Sequence, residues 1–132
     1  MDADRLLDEL LAAEGIGDSL RTSQRDQREF AAARLVYSLD FTLYNVTVST
    51  ASETTLGFGY EAEGHPQGAD RLLHELLDTA GIQEFVRTIP HDPQHEFAAA
   101  RVLYDGTLYN VDVRVAPDER IPRSEDATRR VD

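Results

Sequence analysis

Two stretches of the chain carry apolar residues at steps of three and four positions, the spacing of one face of a helix. The positions are Ala3, Leu6, Leu7, Leu10 and Leu11, and then Ala69, Leu72, Leu73, Leu76 and Leu77. Acidic residues stand between them, so each stretch predicts an amphipathic helix. Gly15-Ile16 and Gly81-Ile82 predict that each helix ends in a left-handed C-terminal turn, with the isoleucine folded back onto the last leucine.

After each helix the apolar period changes to two, which predicts β-strands. The predicted strands are a short one at Leu20–Thr22 and Val86–Ile89, a longer one from Glu29 to Tyr37 and from Glu96 to Tyr104, and a third beginning near Thr42 and Thr107. Asp105-Gly106 between apolar runs is a strong signal for a two-residue hairpin turn. In the first half, the longer loop Ser38–Phe41 stands at that place.

Pairing the strands about these loops sorts their side chains into two faces. One face is uniformly apolar and is expected to lie under the helices. The other face is mixed, and its predicted members are Phe30, Ala32, Arg34, Val36, Leu43, Asn45 and Thr47, with Phe97, Ala99, Arg101, Leu103, Leu108, Asn110 and Asp112. The register places Arg34 opposite Asn45 and Arg101 opposite Asn110.

The two halves of the chain repeat each other. Residues 3–22 match 69–88 at 12 of 20 positions, residues 29–37 match 96–104 at 7 of 9, and residues 42–48 match 107–113 at 6 of 7. The expected fold is α+β, made of two tandem helix–three-strand repeats related by pseudo-twofold symmetry. Its strands are antiparallel and its helices lie on one face of the sheet or sheets.

The expected organisation has four parts. Residues 1–60 form the first repeat, with 54–60 as an optional extra strand. Residues 61–68 form a linker, residues 69–116 the second repeat, and residues 117–132 a charged tail. The two prolines and dense mixed charge of the tail predict disorder, with docking on a partner as the alternative.

The charge of the chain is strongly acidic. It carries 25 Asp and Glu against 13 basic residues, all of them arginine, for a net charge of −12. Acidic excess without lysine is typical of a salt-rich cytoplasm, where screening weakens the repulsion among so many charges. A GC-rich genome is the other explanation for the missing lysine. The acidity also argues against nucleic acid as a partner, because phosphates require a basic patch.

Several functional classes are excluded by what the sequence lacks. It has no cysteine, which excludes disulfides, thiolate nucleophiles and cysteine-ligated metals. No apolar run approaches the roughly 20 residues of a membrane span, and the acidic start does not resemble a signal peptide. We therefore expect a cytoplasmic protein without a membrane partner. It has no phosphate-binding loop and no hydrolase motif, so no cofactor is expected.

The Arg–Asn pair of each half is the sharpest candidate site. The candidate ligand or interface residues are Arg34, Asn45, Arg101, Asn110, Phe30 and Phe97. Two symmetry-related arginines that converge would suit a carboxylate or another small anion, because the guanidinium fork binds such groups through two nitrogens. The alternatives are a cross-strand pair that stabilises each hairpin and a contact across a protein interface.

A metal site is a weaker candidate. His91 and His95, with Asp92 between them, have the spacing of a metal-ligand cluster. The matching turn of the first half carries Arg25 and Arg28, and arginine is not a ligand of ordinary metal sites. No metal is therefore expected.

Catalytic groups are also sparse. Glu29 and Glu96 would form a carboxylate pair if the fold brought them together. Otherwise they would be edge charges or partners of Arg21 and Arg87. The strand tyrosines are expected to keep their hydroxyls in water. A small enzyme is therefore the least favoured interpretation.

These patterns favour a non-enzymatic module that interacts or assembles through the mixed face, as a homodimer or with a protein partner. The second hypothesis is a regulatory domain that binds an anion or small molecule at Arg34 and Arg101. No motif is specific enough to name a reaction or a ligand.

Overall fold

The computed structural model describes residues 3–23, 29–60, 66–90 and 92–116. Over these ranges the elements follow in the order α1 (Ala3–Leu11), β1 (Ile16–Arg21), β2 (Phe30–Tyr37), β3 (Thr42–Thr50), α2 (Gly68–Leu76), β4 (Ile82–Arg87), β5 (Phe97–Tyr104) and β6 (Thr107–Val115). Each half of the chain contributes a helix followed by three strands. The predicted tail, and residues 61–65 of the predicted linker, lie outside the described residues.

The strands form one antiparallel sheet in the order β1-β2-β3-β6-β5-β4. The last strands of the two halves lie side by side at its centre. There β3 pairs with β6 from Tyr44 opposite Val115 to Thr50 opposite Tyr109. The two halves therefore join edge to edge, and the fold class is α+β as predicted.

Both helices cover the same face of the sheet, α1 over β2 and β3, and α2 over β5 and β6. The helical leucines are completely buried, namely Leu6, Leu7, Leu10, Leu72, Leu73 and Leu76. Each contributes roughly 1.5–3 kcal/mol by leaving water. They meet the apolar strand face in one core, formed by Ala31, Ala33, Leu35, Tyr44, Val46, Val48, Ala98, Ala100, Val102, Tyr109, Val111 and Val113.

The hairpins have the predicted register. Asp105 and Gly106 form the turn between β5 and β6 with φ values of 51° and 80°, because a type I′ turn needs positive φ at both positions. Arg34 lies opposite Asn45, and the corresponding pair in the second hairpin is also opposite.

The first strand of each half begins well before its predicted start, at Ile16 and at Ile82. The pairing slips just after each start, between Ile16 and Ser19 and between Ile82 and Glu84. Such a bulge breaks the alternation of side chains. The alternation of apolar and polar residues therefore does not reveal where these two strands begin.

The optional strand at residues 54–60 was a wrong prediction. The structure has no strand there, and Tyr60 makes one isolated bridge to Arg87. Gly57 has a φ of 72°, which turns the chain out of an extended path.

Two tyrosines connect the halves across the core. Tyr37 of β2 donates a hydrogen bond to Glu75 Oε2 of α2 at 2.6 Å, and Tyr104 of β5 donates to Glu9 Oε2 of α1 at 2.7 Å. Each half thereby holds the helix of the other. Both tyrosines are buried, so the prediction that their hydroxyls lie in water is wrong.

Burial and the nearby carboxylates raise the pKa of these tyrosines. Burial first and Glu9 second raise the pKa of Tyr104 from 10.0 to about 12. Burial and then Glu75 raise the pKa of Tyr37 as well. The hydroxyls therefore stay protonated and remain donors at neutral pH.

Both helices end before the glycines that were predicted to stop them. Neither Gly15 nor Gly81 has a positive φ, so the predicted left-handed turn is wrong. These positions instead need space, because a Cβ at Gly15 would lie 2.4 Å from Glu75 Oε1 and one at Gly81 would lie 2.5 Å from Tyr104 Cε1. Glycine at both positions leaves room for the Tyr–Glu hydrogen bonds.

An arginine on each edge strand pairs with aspartates of the helix beside it. Arg21 of β1 bonds Asp4 and Asp8 of α1, and Arg87 of β4 bonds Asp70 of α2. The Arg87 and Asp70 side chains are 8% and 5% exposed. These pairs hold the N-terminal half of each helix against a sheet edge.

Replacing Tyr104 with Phe is expected to lower the free energy of unfolding by about 1–2 kcal/mol, because Glu9 loses its hydroxyl donor. The pKa of Tyr104 is raised in the folded state, so its contribution is complete below pH 10 and is lost as the pH rises towards 12. Urea unfolding at neutral pH and above pH 10 should show a smaller alkaline loss of stability in the variant. Replacing the exposed Tyr60 with Phe is the control and should change neither value.

Replacing Asp70 with Asn is expected to destabilise the fold by about 3 kcal/mol, because it leaves the buried Arg87 without its charge partner. The matched change Asp8→Asn should cost less than about 1 kcal/mol, since Asp8 is exposed and Arg21 keeps Asp4. Urea unfolding of both variants tests this difference. Equal losses would contradict it.

Candidate functional site

The face of the sheet opposite the helices, here called the open face, carries the mixed side chains. Arg34 and Asn45 stand on it in the first half, Arg101 and Asn110 in the second. Most of its side chains are partly exposed, in contrast to the buried residues between them along the same strands. The open face is therefore the surface that the sheet offers for contacts.

Residues 51–60, here called the covering segment, cross the second half of the open face. The segment leaves β3 where the Ala51 amide donates to the Leu108 carbonyl at 3.0 Å. It reaches the outer edge of β4, where the Tyr60 amide donates to the Arg87 carbonyl at 2.8 Å. Residues 51–60 thus cover part of the open face of the same chain.

Arg101 anchors the covering segment. Its Nη1 donates to the Leu56 carbonyl at 2.8 Å, and its Nη2 lies 3.2 Å from Glu53 Oε2. The Arg101 side chain is 16% exposed, and Ala99 on the same strand and face is 4% exposed. The buried Nε of Arg101 has no hydrogen-bond acceptor among the described residues. Arg101 therefore directs its terminal nitrogens to the covering segment.

The first half of the open face has no such cover within the described ranges. A groove of about 350 Å³ lies there, lined chiefly by Ala32, Arg34, Asn45, Thr47, Asp112 and Arg114. Leu20 pairs with Arg34 across β1 and β2 and is 51% exposed, and Phe30 on β2 is 43% exposed. Apolar side chains therefore remain in water on the same face as this groove.

The groove brings two guanidinium groups together in an acidic protein. Arg34 Nε donates to Asn45 Oδ1 at 3.2 Å, and no ion pair of Arg34 occurs in the described part of the chain. Arg114 lies opposite Asn45 in the central strand pair. Burial raises the pKa of the Asp112 carboxyl, and Arg114 opposes that rise. The groove therefore combines two guanidinium groups with one carboxyl group.

Arg34 and Arg101 do not share a cleft. They stand on β2 and β5, which are three strand spacings apart in the sheet, or about 14 Å. The interpretation in which the two arginines converge on one anion is therefore wrong. The physical reason is the edge-to-edge junction, which places β3 and β6 between them.

The two candidate phenylalanines also have different surroundings. Phe97 lies under Arg114, whose guanidinium carbon is 4.3 Å from the ring centroid, a favourable cation–π distance. Phe30 lies opposite Ser49 and remains exposed. Phe30 is therefore the more accessible of the two phenylalanines.

Glu29 and Glu96 do not form a pair. They precede β2 and β5, and these strands run in opposite directions because three antiparallel pairings separate them. Their starts lie at opposite ends of the sheet. The predicted partners are wrong as well, since Arg21 and Arg87 pair with helix aspartates.

The described residues of the predicted histidine cluster take part in hydrogen bonds with the backbone. His91 lies outside the described residues. The His95 carbonyl accepts a hydrogen bond from the Ala69 amide at 2.9 Å. Asp92 accepts from the Gln94 and Glu96 amides, and these backbone hydrogen bonds lower its pKa. Within the described ranges, no three acidic or histidine side chains are grouped to hold a metal.

A second concavity, of about 590 Å³, lies between the C-terminal ends of the helices. Its acidic lining residues are Glu9, Glu14, Glu75 and Asp78. The sequence pattern did not indicate it, because its residues come from two helices that are distant in the chain. Glu9 and Glu75 already accept the tyrosine hydrogen bonds, so these two acidic residues of the cleft have a structural role.

Comparison with protein-family models, curated proteins and solved structures gives no match. Neither helix in the described part of the chain is long and apolar enough to cross a membrane.

Replacing Arg101 with Met is expected to destabilise the protein by about 2 kcal/mol, because the covering segment loses a charge-assisted hydrogen bond and an ion pair. The matched change Arg34→Met should cost less than about 1 kcal/mol, since Arg34 bonds a single amide oxygen across the strands. Urea unfolding gives both values. Hydrogen exchange of the Tyr60 amide should accelerate in the Arg101 variant and stay unchanged in the Arg34 variant.

Proposed function

We propose that this protein is a non-enzymatic interaction module that assembles through the first half of the open face, as a homodimer or with a protein partner. The assembly surface consists of Leu20, Phe30, Arg34 and Asn45. The observation that carries the proposal is the exposure of Leu20 and Phe30, 51% and 43%, on the same face as Arg34. Aromatic and aliphatic side chains beside an arginine are typical of protein interfaces.

The second half of the open face supports the same proposal. There an extended stretch of protein lies against the sheet, and its Glu53 carboxylate and Leu56 carbonyl bind Arg101. A partner segment that brings a carboxylate and a backbone carbonyl would bind Arg34 through the same kinds of contact. The first half presents Arg34 in the matching sequence position.

We also infer that the two halves arose by tandem duplication and are related by a pseudo-twofold axis between β3 and β6. The strand order reads the same from either sheet edge, which supports this inference. The composition supports a salt-rich cytoplasm as the setting, because high salt screens the repulsion between two chains of charge −12.

The second candidate function is anion binding in the groove beside Arg34. The observation in its favour is that Arg34 and Arg114 both line that groove, and guanidinium pairs bind carboxylates and phosphates. Inorganic phosphate and citrate are suitable probes. Saturable binding that Arg34→Met and Arg114→Met both abolish would favour this function over assembly.

Sedimentation of the full chain at low and at molar potassium chloride tests the assembly function. We expect concentration-dependent association that strengthens with salt. Phe30→Ser should weaken it at least about tenfold, the effect of losing roughly 1.4 kcal/mol of interface energy. Phe85→Ser is the matched control, because Phe85 is 47% exposed but lies outside the assembly surface.

Three results would count against assembly through this surface. They are a strict monomer under every condition without a partner-bound form, equal effects of the Phe30 and Phe85 changes, and association that falls as salt rises. The last would indicate a purely charge-driven contact. Circular dichroism of each variant separates lost association from lost folding.

A further inference from the structure

The chain leaves the two central strands in the same way. After β3, the Ala51 amide donates to the Leu108 carbonyl at 3.0 Å, and after β6 the Ala116 amide donates to the Leu43 carbonyl at 2.9 Å. Ala51 begins the covering segment. Ala116 is the last described residue, and it stands at the corresponding start beside the first half of the open face.

The sequence after Ala116 carries the groups with which the covering segment binds Arg101. Glu53 and Leu56 stand two and five residues after Ala51, and Asp118 and Ile121 stand two and five residues after Ala116. Glu53 supplies a carboxylate to Arg101 and Leu56 supplies a carbonyl. After β6, Asp118 therefore offers a carboxylate at the position of Glu53, and the backbone carbonyl of Ile121 stands at the position of Leu56.

The groove beside Arg34 has the charge that such a segment needs. Arg34 and Arg114 line it, and Arg34 is engaged in the described chain by a single hydrogen bond from Nε to Asn45. The Nη1 and Nη2 atoms of Arg34 correspond to the Arg101 atoms that bind the covering segment. An acidic side chain two residues after Ala116 complements the positive charge of Arg34.

The match ends at Ile121. The next residue is Pro122, where the covering segment has Gly57. Gly57 has a φ of 72°, and proline is held near −65°. Any correspondence with the covering segment is therefore limited to residues 117–121.

We propose that the groove beside Arg34 is the docking site of this chain's own C-terminal segment, residues 117–121, with Asp118 and the Ile121 carbonyl bound to Arg34. The first half of the open face is then covered as the second half is. Resting on the proposed function, this docking also regulates assembly, because the segment and a partner compete for the same groove.

A single introduced thiol tests the docking in the full chain. The protein has no cysteine, and Thr47 lines the groove, so Thr47→Cys reports access to it. Its alkylation by iodoacetamide should accelerate at least about fivefold when Asp118→Ala is added, because the docked segment loses its carboxylate and opens more often. Glu119→Ala removes the same charge one position away and is expected to change the rate less than about twofold.

A second thiol and a dilution series complete the test. Ser19→Cys lies on the exposed part of β1, and its rate should not respond to the C-terminal variants, which excludes general unfolding. Equal Thr47→Cys rates in the Asp118 and Glu119 variants would overturn the proposal. Protection that falls on dilution would also overturn it, and would assign the groove to the segment of a second copy.

Sedimentation of the same variants separates this inference from the proposed function. Asp118→Ala should strengthen association and Glu119→Ala should not. Thiol protection without association in any variant would refute the assembly function and leave the docking intact. Association that depends on Phe30, without thiol protection, would refute the docking and leave the assembly function intact.

Discussion

The antiparallel pairing of β3 with β6 is the contact on which the rest of the structure depends. Each half supplies three strands and one helix, a unit too small to bury a substantial core by itself. Pairing the third strands joins both apolar faces into one surface, and both helices then cover a single core. The same junction separates Arg34 from Arg101, because β3 and β6 lie between their strands.

Polar contacts then set how the helices sit on that surface. The Tyr37–Glu75 and Tyr104–Glu9 hydrogen bonds cross between the halves, and Arg21 and Arg87 hold the other ends of the helices at the sheet edges. A helix on an apolar sheet can slide, because apolar packing has little direction. Hydrogen bonds and ion pairs do have direction, and here they fix the position of each helix. Much of the recurring polar sequence is accounted for in this way.

Side chains at matching positions in the two halves of the open face have different surroundings. Arg101 is bound by the carboxylate and carbonyl of the covering segment, and Ala99 beside it is buried. Among the described residues, Arg34 makes one hydrogen bond, to Asn45, and Leu20 and Phe30 are exposed. The side chains at matching positions are nearly the same, so the difference comes from the chain that lies over them. Covering a half-apolar sheet face removes apolar surface from water, and this is the physical basis of the functional proposal for its first half.

The sequence alone determined the α+β class, the helix faces, the hairpin registers and the residues of the open face. These follow from periods of 3.6 and 2 and from turn chemistry, which act between neighbours in the chain. It missed the bulged strand starts and the Tyr–Glu contacts, and it misread Gly15 and Gly81 as helix stops. Of its interpretations of Glu29 and Glu96, the carboxylate pair and the pairing with Arg21 and Arg87 were wrong. Only the tertiary structure decided that the sheets join edge to edge, that Arg34 and Arg101 lie apart, and that residues 51–60 cover one half of the face. Those outcomes depend on contacts between residues far apart in sequence, and no local pattern encodes them.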